Sequence, residues 1–246
     1  MAKKSAPKQS GVSGHRQLME KITSKKAKAG VIGLGYVGLP LAVELVHAGF
    51  EVTGFDIAEP KVRLLNSGRS DIDDVPDAVV ADMVAAKKFR ATTDFRALGE
   101  MDTISICVPT PLSKTKDPDV SFILAAVGSV KQFMRKGTLV VLESTTYPGT
   151  TEDLILPLLQ EKGMKAGEDF FLAFSPERVD PGNQRFTTKN TPRVVGGITP
   201  KCTQVAKTFY EQSIPDIYAV SSTQAAEMVK LLENTFRSVN IGLVNE

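Results

Sequence analysis

From Ala29 onward the chain alternates short apolar runs with longer stretches whose apolar positions recur at helical spacing. The runs AGVIGL, EVTGFD, FRATTD, DTISICV, TLVVLES and DFFLAFS have strand length, and RVVGG and IYAV follow as shorter pieces. Amphipathic segments begin near Tyr36, Glu59, Pro76, Val120, Thr150, Pro200 and Thr223. Strands alternating with helices predict βαβ units, because parallel neighbours need a crossover long enough to hold a helix. Right-handed crossovers then assemble an α/β fold, a doubly wound parallel sheet with helices on both faces.

Two segments break the alternation. NSGRSDIDDVPD, 66–77, is dense in polar and turn residues and predicts a loop leading into the helix from Pro76. SPERVDPGNQRFTTKNTPR, 175–193, has no clear period, and irregular loops of that length in a compact domain tend to carry function.

The final amphipathic stretch ends on VKLLENTFRSVNIGLVNE, 229–246, without a stop signal. At about 100° per residue, Met228, Leu232 and Val239 fall together, with Phe236 and Leu243 beside them, which predicts a buried stripe. Lys230, Asn234 and Arg237 cluster on the other side, interrupted by Ile241. A solvated face is the usual explanation of such a cluster. A lysine and an amide one turn apart can also hold a developing oxyanion.

Composition adds size and charge. With 246 residues and 42% apolar content the chain can bury a sizeable core, in one large or two small domains. The net charge of +2 hides an asymmetry: residues 1–28 hold eight Lys and Arg against Glu20 alone, so they carry +7 and the remainder −5. That segment is rich in Lys, Ser and Gly, and it reads as a disordered, solubilising basic tail preceding a domain that starts at Ala29. A nucleic-acid or membrane arm is the alternative. The chain has neither the apolar core of a secretory signal nor an apolar run long enough to span a membrane, so the expected location is cytoplasmic. Cys107 and Cys202 are too far apart for a zinc or redox motif, and no metal site is expected. Cys107, inside TISICV, reads as a buried small hydrophobe, and Cys202, at a helix start, as structural too.

The sharpest motif is GLGYVG, 33–38, between a strand-like AGVI and a helix-like LPLAVELVHAG. Gly33 allows the tight turn, Gly35 lets backbone approach a pyrophosphate, and Gly38 lets helix and strand pack closely; Tyr36 and Val37 complete the turn. The next strand ends in Asp56, 21 residues beyond Gly35, where a carboxylate accepts from both ribose hydroxyls of NAD and repels the extra phosphate of NADP. This is a Rossmann-like, NAD-binding pattern. Lys61 either approaches the adenosine end or is solvated. CVPTPL, 107–112, lies beyond a strand's carboxyl end, where Val108 and Thr110 can meet a cofactor or simply stiffen a turn. In ESTTYPGTTEDL, 143–154, Thr150 with Asp153 predicts a helix cap, whereas Thr145 and Thr146 serve either ligand contact or turn chemistry. Glu177 and Arg178 stand beyond another strand, as a base and its neighbour or as a loop ion pair.

GLGYVGLPLA, CVPTPL, LESTTYPGTTE, SPERVDPGN and AAEMVKLLEN occur in this order and spacing, and together they resemble the amino-terminal half of the UDP-glucose/GDP-mannose dehydrogenase family. The resemblance covers 29–246 and is strongest to the bacterial UDP-N-acetylglucosamine 6-dehydrogenase branch. It implies that a sugar CH2OH is oxidised twice, by two NAD molecules, to a carboxylate. It further implies that Thr146 positions a water, Glu177 is an acid/base group, and Lys230 with Asn234 stabilises the oxyanion. Glu177, Arg178, Lys230 and Asn234 would then contact the UDP-sugar. In the family a cysteine thiolate captures the aldehyde as a thiohemiacetal and then holds a thioester. Its G-x-G-x-G-G-x-C segment is absent here, and neither Cys107 nor Cys202 takes its place. The expectation is therefore a basic tail over 1–28, an NAD-binding domain over 29–221, and the start of a long central helix over 222–246 that pairs two subunits. A fragment of this kind lacks the UDP-binding domain and is inactive alone. A β-hydroxyacid dehydrogenase and a noncatalytic NAD-binding module remain the alternatives.

Overall fold

The computed structural model describes residues 14–111, 118–178 and 191–246. Its strands are β1 (Lys28–Ile32), β2 (Glu51–Phe55), β3 (Phe89–Thr92), β4 (Thr103–Ile106), β5 (Leu139–Leu142), β6 (Phe171–Phe174), β7 (Arg193–Gly197) and β8 (Ile217–Ala219). They form one sheet in the order β3-β2-β1-β4-β5-β6-β7-β8. Between them run α1 (Gly14–Thr23), α2 (Gly38–His47), α3 (Glu59–Asn66), α4 (Asp77–Ala85), α5 (Ser121–Phe133), α6 (Leu156–Gln160), α7 (Pro200–Tyr210) and α8 (Thr223–Asn245). A π-helical turn, Thr150–Ile155, leads into α6.

Side chains of successive strand residues point to opposite faces, and the apolar strands feed two cores accordingly. Val31, Leu139, Val141, Phe171 and Ala173 pack with α2, α3, α4 and α7. Ile32, Val140, Leu142, Leu172 and Phe174 pack with α5, α6 and Ala226 of α8. This is the doubly wound, Rossmann-like arrangement that the periodicity predicts. The chain leaves β1 for β2 and β3 and returns to β4 on the other side, so the carboxyl ends of β1 and β4 flank a switch point, where open α/β sheets bind ligands.

The structure differs from the expected layout in four places. First, the sheet is not wholly parallel, since β7 runs antiparallel to β6, with Ala173 opposite Gly197. Second, the predicted tail is ordered over part of its length. Residues 14–23 form α1, which packs against α7 and buries Leu18 and Ile22. A composition average over 28 residues drowns this apolar pair one turn apart, whose burial contributes roughly 1.5–3 kcal/mol per side chain. Lys25 extends the docking by donating to Gln212 Oε1 at 2.7 Å while lying over the Phe50 ring. Residues 1–13, the rest of the tail, lie outside the described residues.

Third, the stripe of α8 predicted to be buried is exposed: Met228, Leu232, Phe236, Val239 and Leu243 all face outward. The inward face carries Thr223, Ala226 and Glu227, with Lys230, Glu233 and Asn234 half-buried further along. Lys230 and Asn234 are thus half-buried rather than fully solvated, whereas Arg237 of the same cluster is exposed. Fourth, Thr150 and Asp153 do not make the expected cap. The Thr150 hydroxyl donates back to the Tyr147 carbonyl at 2.7 Å. The helix start is capped instead from α8, where the buried Glu227 accepts from Gly149 N–H at 2.6 Å and from Thr151 N–H and hydroxyl at 2.9 and 2.7 Å.

Candidate cofactor and catalytic site

The turn from β1 to α2 needs its glycines for different reasons. Gly33 has φ +88°, a region side chains rarely adopt, and a Cβ there would lie 2.8 Å from the Cys107 carbonyl oxygen. A Cβ on Gly38 would lie 1.8 Å from the Gly33 oxygen. At Gly35 a Cβ would meet nothing within 4 Å among the described residues. The protein's own packing does not require glycine there, whereas a pyrophosphate laid against bare backbone does. No side chain caps the start of α2, which leaves its positive dipole end to an anion. Tyr36 is exposed and Val37 half-buried in the same turn.

Asp56 follows β2 directly. Its Oδ2 accepts from Leu34 N–H at 3.0 Å and its Oδ1 from Ala58 N–H at 2.9 Å, so the acid braces the glycine turn. A carboxylate offers about four acceptor positions, and the remaining ones suit ribose hydroxyls. Lys61 donates to the Leu34 carbonyl at 3.3 Å and to Asp71 at 2.5 Å, which fixes it beside that turn.

The loops after β4 and β5 are stitched together. Ser144 donates to the Val108 carbonyl at 2.7 Å and Thr110 to the Thr145 carbonyl at 2.8 Å. Thr146 is buried, and among the described residues its Oγ1 has no hydrogen-bond partner. A buried hydroxyl normally has one, so this orphan, beside the switch point, fits a cofactor or substrate group. Leu112 and residues 179–190 lie outside the described residues.

Glu177 and Arg178 do not pair with each other's side chains. Arg193 Nη2 donates to Glu177 Oε2 at 2.7 Å, while Glu177 Oε1 accepts from Arg178 N–H at 2.8 Å. The Arg178 guanidinium forks onto Glu233 of α8, with Nε to Oε2 at 3.0 Å and Nη2 to Oε1, and donates to the Pro192 carbonyl at 2.8 Å. Helix α8 is thus tied to the carboxyl edge of the sheet at Glu227 and again at Glu233. Lys230 lies midway between these anchors, on the same side.

Behind Glu177 is a buried network that the sequence reading missed. Arg193 Nη1 donates to Glu143 Oε2 at 2.6 Å, Tyr210 donates to Glu143 Oε1 at 2.6 Å, and Ser105 Oγ lies 3.3 Å from the Tyr210 oxygen. Burial acts to lower the Arg193 pKa, but the adjacent Glu143 and Glu177 carboxylates outweigh it and hold the guanidinium protonated. Burial, reinforced by the Glu143 charge, pushes the Tyr210 hydroxyl well above its ordinary range. The same two causes raise the Cys107 thiol, which packs under the glycine turn. A signal was present in the sequence: Glu143 and Arg193 adjoin apolar strands, and Glu227 interrupts AAEMV. Charges in such company are buried and paired.

Among the described residues no helix is long and apolar enough to cross a membrane. The NAD binding domain of the UDP-glucose/GDP-mannose dehydrogenase family matches residues 27–214. A UDP-N-acetyl-D-mannosamine dehydrogenase of Pyrococcus horikoshii is 38% identical over 88% of this chain and 52% of its own length. A UDP-N-acetyl-D-glucosamine 6-dehydrogenase of Pseudomonas aeruginosa is 36% identical over 90% of this chain and 52% of its own length. The solved structure of the P. horikoshii UDP-D-ManNAc dehydrogenase superposes with a TM-score of 0.83 at 37% identity, covering 89% of this chain and 52% of that one. The chain therefore spans about half the length of the curated relatives it matches. With the family's NAD-binding fingerprint folded as its chemistry requires, the chain belongs to the UDP-glucose/GDP-mannose dehydrogenase family and carries its NAD-binding domain.

Proposed function

We propose that this chain is the NAD-binding part of a UDP-sugar 6-dehydrogenase, which oxidises the sugar CH2OH to a carboxylate in two steps for polysaccharide precursor synthesis in the cytoplasm. The observation that carries the reading is the orientation of α8. Lys230 lies on its inward face between the Glu227 and Glu233 anchors, and Asn234 just beyond Glu233, facing the edge where the loops after β5 and β6 carry Thr146 and Glu177.

NAD, when bound, accepts the hydride. Around it the chain's own residues have distinct tasks. The Lys230 ammonium and the Asn234 amide stabilise negative charge on the reacting oxygen. Glu177 takes or returns a proton, or orients water, and the Thr146 hydroxyl positions that water. Arg178 is a tether of α8 before it is a substrate contact, because binding substrate through its guanidinium would mean releasing Glu233. The relatives' names span mannosamine and glucosamine derivatives. The stretches ESTTYPGTTE and SPERVDPGN favour UDP-N-acetylglucosamine, and two subunits pair through α8.

In the whole protein, two NADH are expected per UDP-N-acetylglucosamine consumed, and one per sugar would sink the reading. Lys230→Ala is expected to lower kcat about 100-fold or more without changing NAD affinity. Unchanged turnover would remove Lys230 from the chemistry.

A further inference from the structure

The chain of polar groups behind Glu177 is unusual in its depth. Glu143, Arg193 and Tyr210 are each at most 3% exposed. Burying charges in this way is unfavourable unless every group is paired, and here the pairing is complete and directional. A carboxylate only accepts, so the single Tyr210 proton goes to Glu143, and the Ser105 hydroxyl in turn donates to Tyr210. Both oxygens of Glu143 are thereby occupied, and the Arg193 guanidinium has one branch left, which reaches Glu177. The Tyr210 ring lies 4.7 Å from the guanidinium carbon and closes its other side.

The strand that reverses direction makes this possible. Continuing the antiparallel register of β6 and β7 sets Arg193 across from Glu177. In a parallel β7 the first residue would fall at the opposite edge of the sheet. Tyr210, the last residue of α7, reaches the same point from one face.

We propose that Arg193 is a positioning residue for Glu177, held in place by Glu143 and Tyr210, and that Glu143 itself takes no part in proton transfer. This deepens the reading of Glu177 as the acid/base group and rests on it. One Glu177 oxygen is fixed by Arg193 and the other by the Arg178 amide, so the carboxylate presents one orientation to whatever occupies the sheet edge. Arg193→Lys keeps the charge but loses the planar fork that spans two carboxylates. Tyr210→Phe keeps the ring and removes only the hydroxyl that anchors Glu143.

The test uses the whole protein, with kinetics and crystal structures of the same variants. Arg193→Lys is expected to lower kcat about 100-fold, the low end of what general acid–base catalysis supplies, and Tyr210→Phe about 3- to 10-fold, a part of that contribution, while NAD affinity stays within about twofold. Residues acting as a unit are non-additive. Adding Arg193→Lys to Glu177→Gln is therefore expected to cost little more than Glu177→Gln alone. Equal losses in both backgrounds would overturn the proposal, because a general structural defect multiplies with the loss of Glu177. Unchanged kcat in both Arg193→Lys and Tyr210→Phe would overturn it as well. The crystal structures decide independently of turnover: Glu177 is expected to leave its present orientation in Arg193→Lys, and an unmoved carboxylate would overturn the positioning role. If wild-type protein oxidises no UDP-sugar, the functional reading falls, and the crystallographic comparison still decides the role of Arg193.

Discussion

At the scale of single residues, the glycine turn separates packing from ligand binding. Gly38→Ala is expected to disrupt the fold locally, because its new methyl would sit within bonding range of the Gly33 oxygen and the backbone must move. Gly35→Ala has open space and is expected to leave the melting temperature nearly unchanged while weakening NAD binding about 10-fold or more, as a methyl intrudes on the pyrophosphate. Thermal melts and NAD titrations of the two variants check this, and equal effects on both quantities would refute the division of labour. The thiols give a second expectation. Cys107 and Cys202 are buried, and burial with the nearby Glu143 charge keeps Cys107 protonated. A thiol-reactive disulfide reagent is expected to label neither in the native chain and both after denaturation, which would exclude them as the family's nucleophile. These residues were legible in the sequence because each sits in a local motif with a local reason. Glu143, Arg193 and Tyr210 were not, since their meaning is a contact between elements 50 and 67 residues apart.

Among the elements, α8 shows where periodicity informs and where it misleads. Its existence and its start near Thr223 were predictable from the spacing of its apolar residues, and the Ser222 hydroxyl caps it at Ala225 N–H. Its facing was not. The usual rule turns the apolar stripe inward, yet here Glu227 and Glu233 anchor the polar arc to loops that offer N–H groups and a guanidinium. Charge pairing with two loops, invisible in a one-dimensional pattern, sets the rotation of the helix. Glu227→Ala would leave the Gly149 and Thr151 amides buried without partners, at roughly 1–3 kcal/mol each. Hydrogen exchange is expected to accelerate in 149–155 and in 223–233 together. Acceleration in α8 alone would show that Glu227 does not hold the two elements to one another.

For the molecule as a whole, the consequence of that rotation is a long apolar surface. Met228, Leu232, Phe236, Val239 and Leu243, each more than half exposed, run along a single helix that extends past the sheet. Contiguous exposed apolar surface of this kind is a feature of interaction sites. The sheet itself was legible from β1 to β6, because apolar runs and their crossovers leave few topologies, but the reversal of β7 was not. Periodicity cannot distinguish a face buried within one chain from one buried between two, so the expectation that this stripe pairs subunits comes from the family resemblance alone. A pairing of two α8 helices satisfies it with a self-complementary interface of the cyclic type. Sedimentation equilibrium at micromolar concentration is expected to give twice the chain mass, and Phe236→Asp, which places a charge mid-stripe, to give the single chain mass with an unchanged circular dichroism spectrum. A wild-type chain that stays monomeric across that range would refute the pairing.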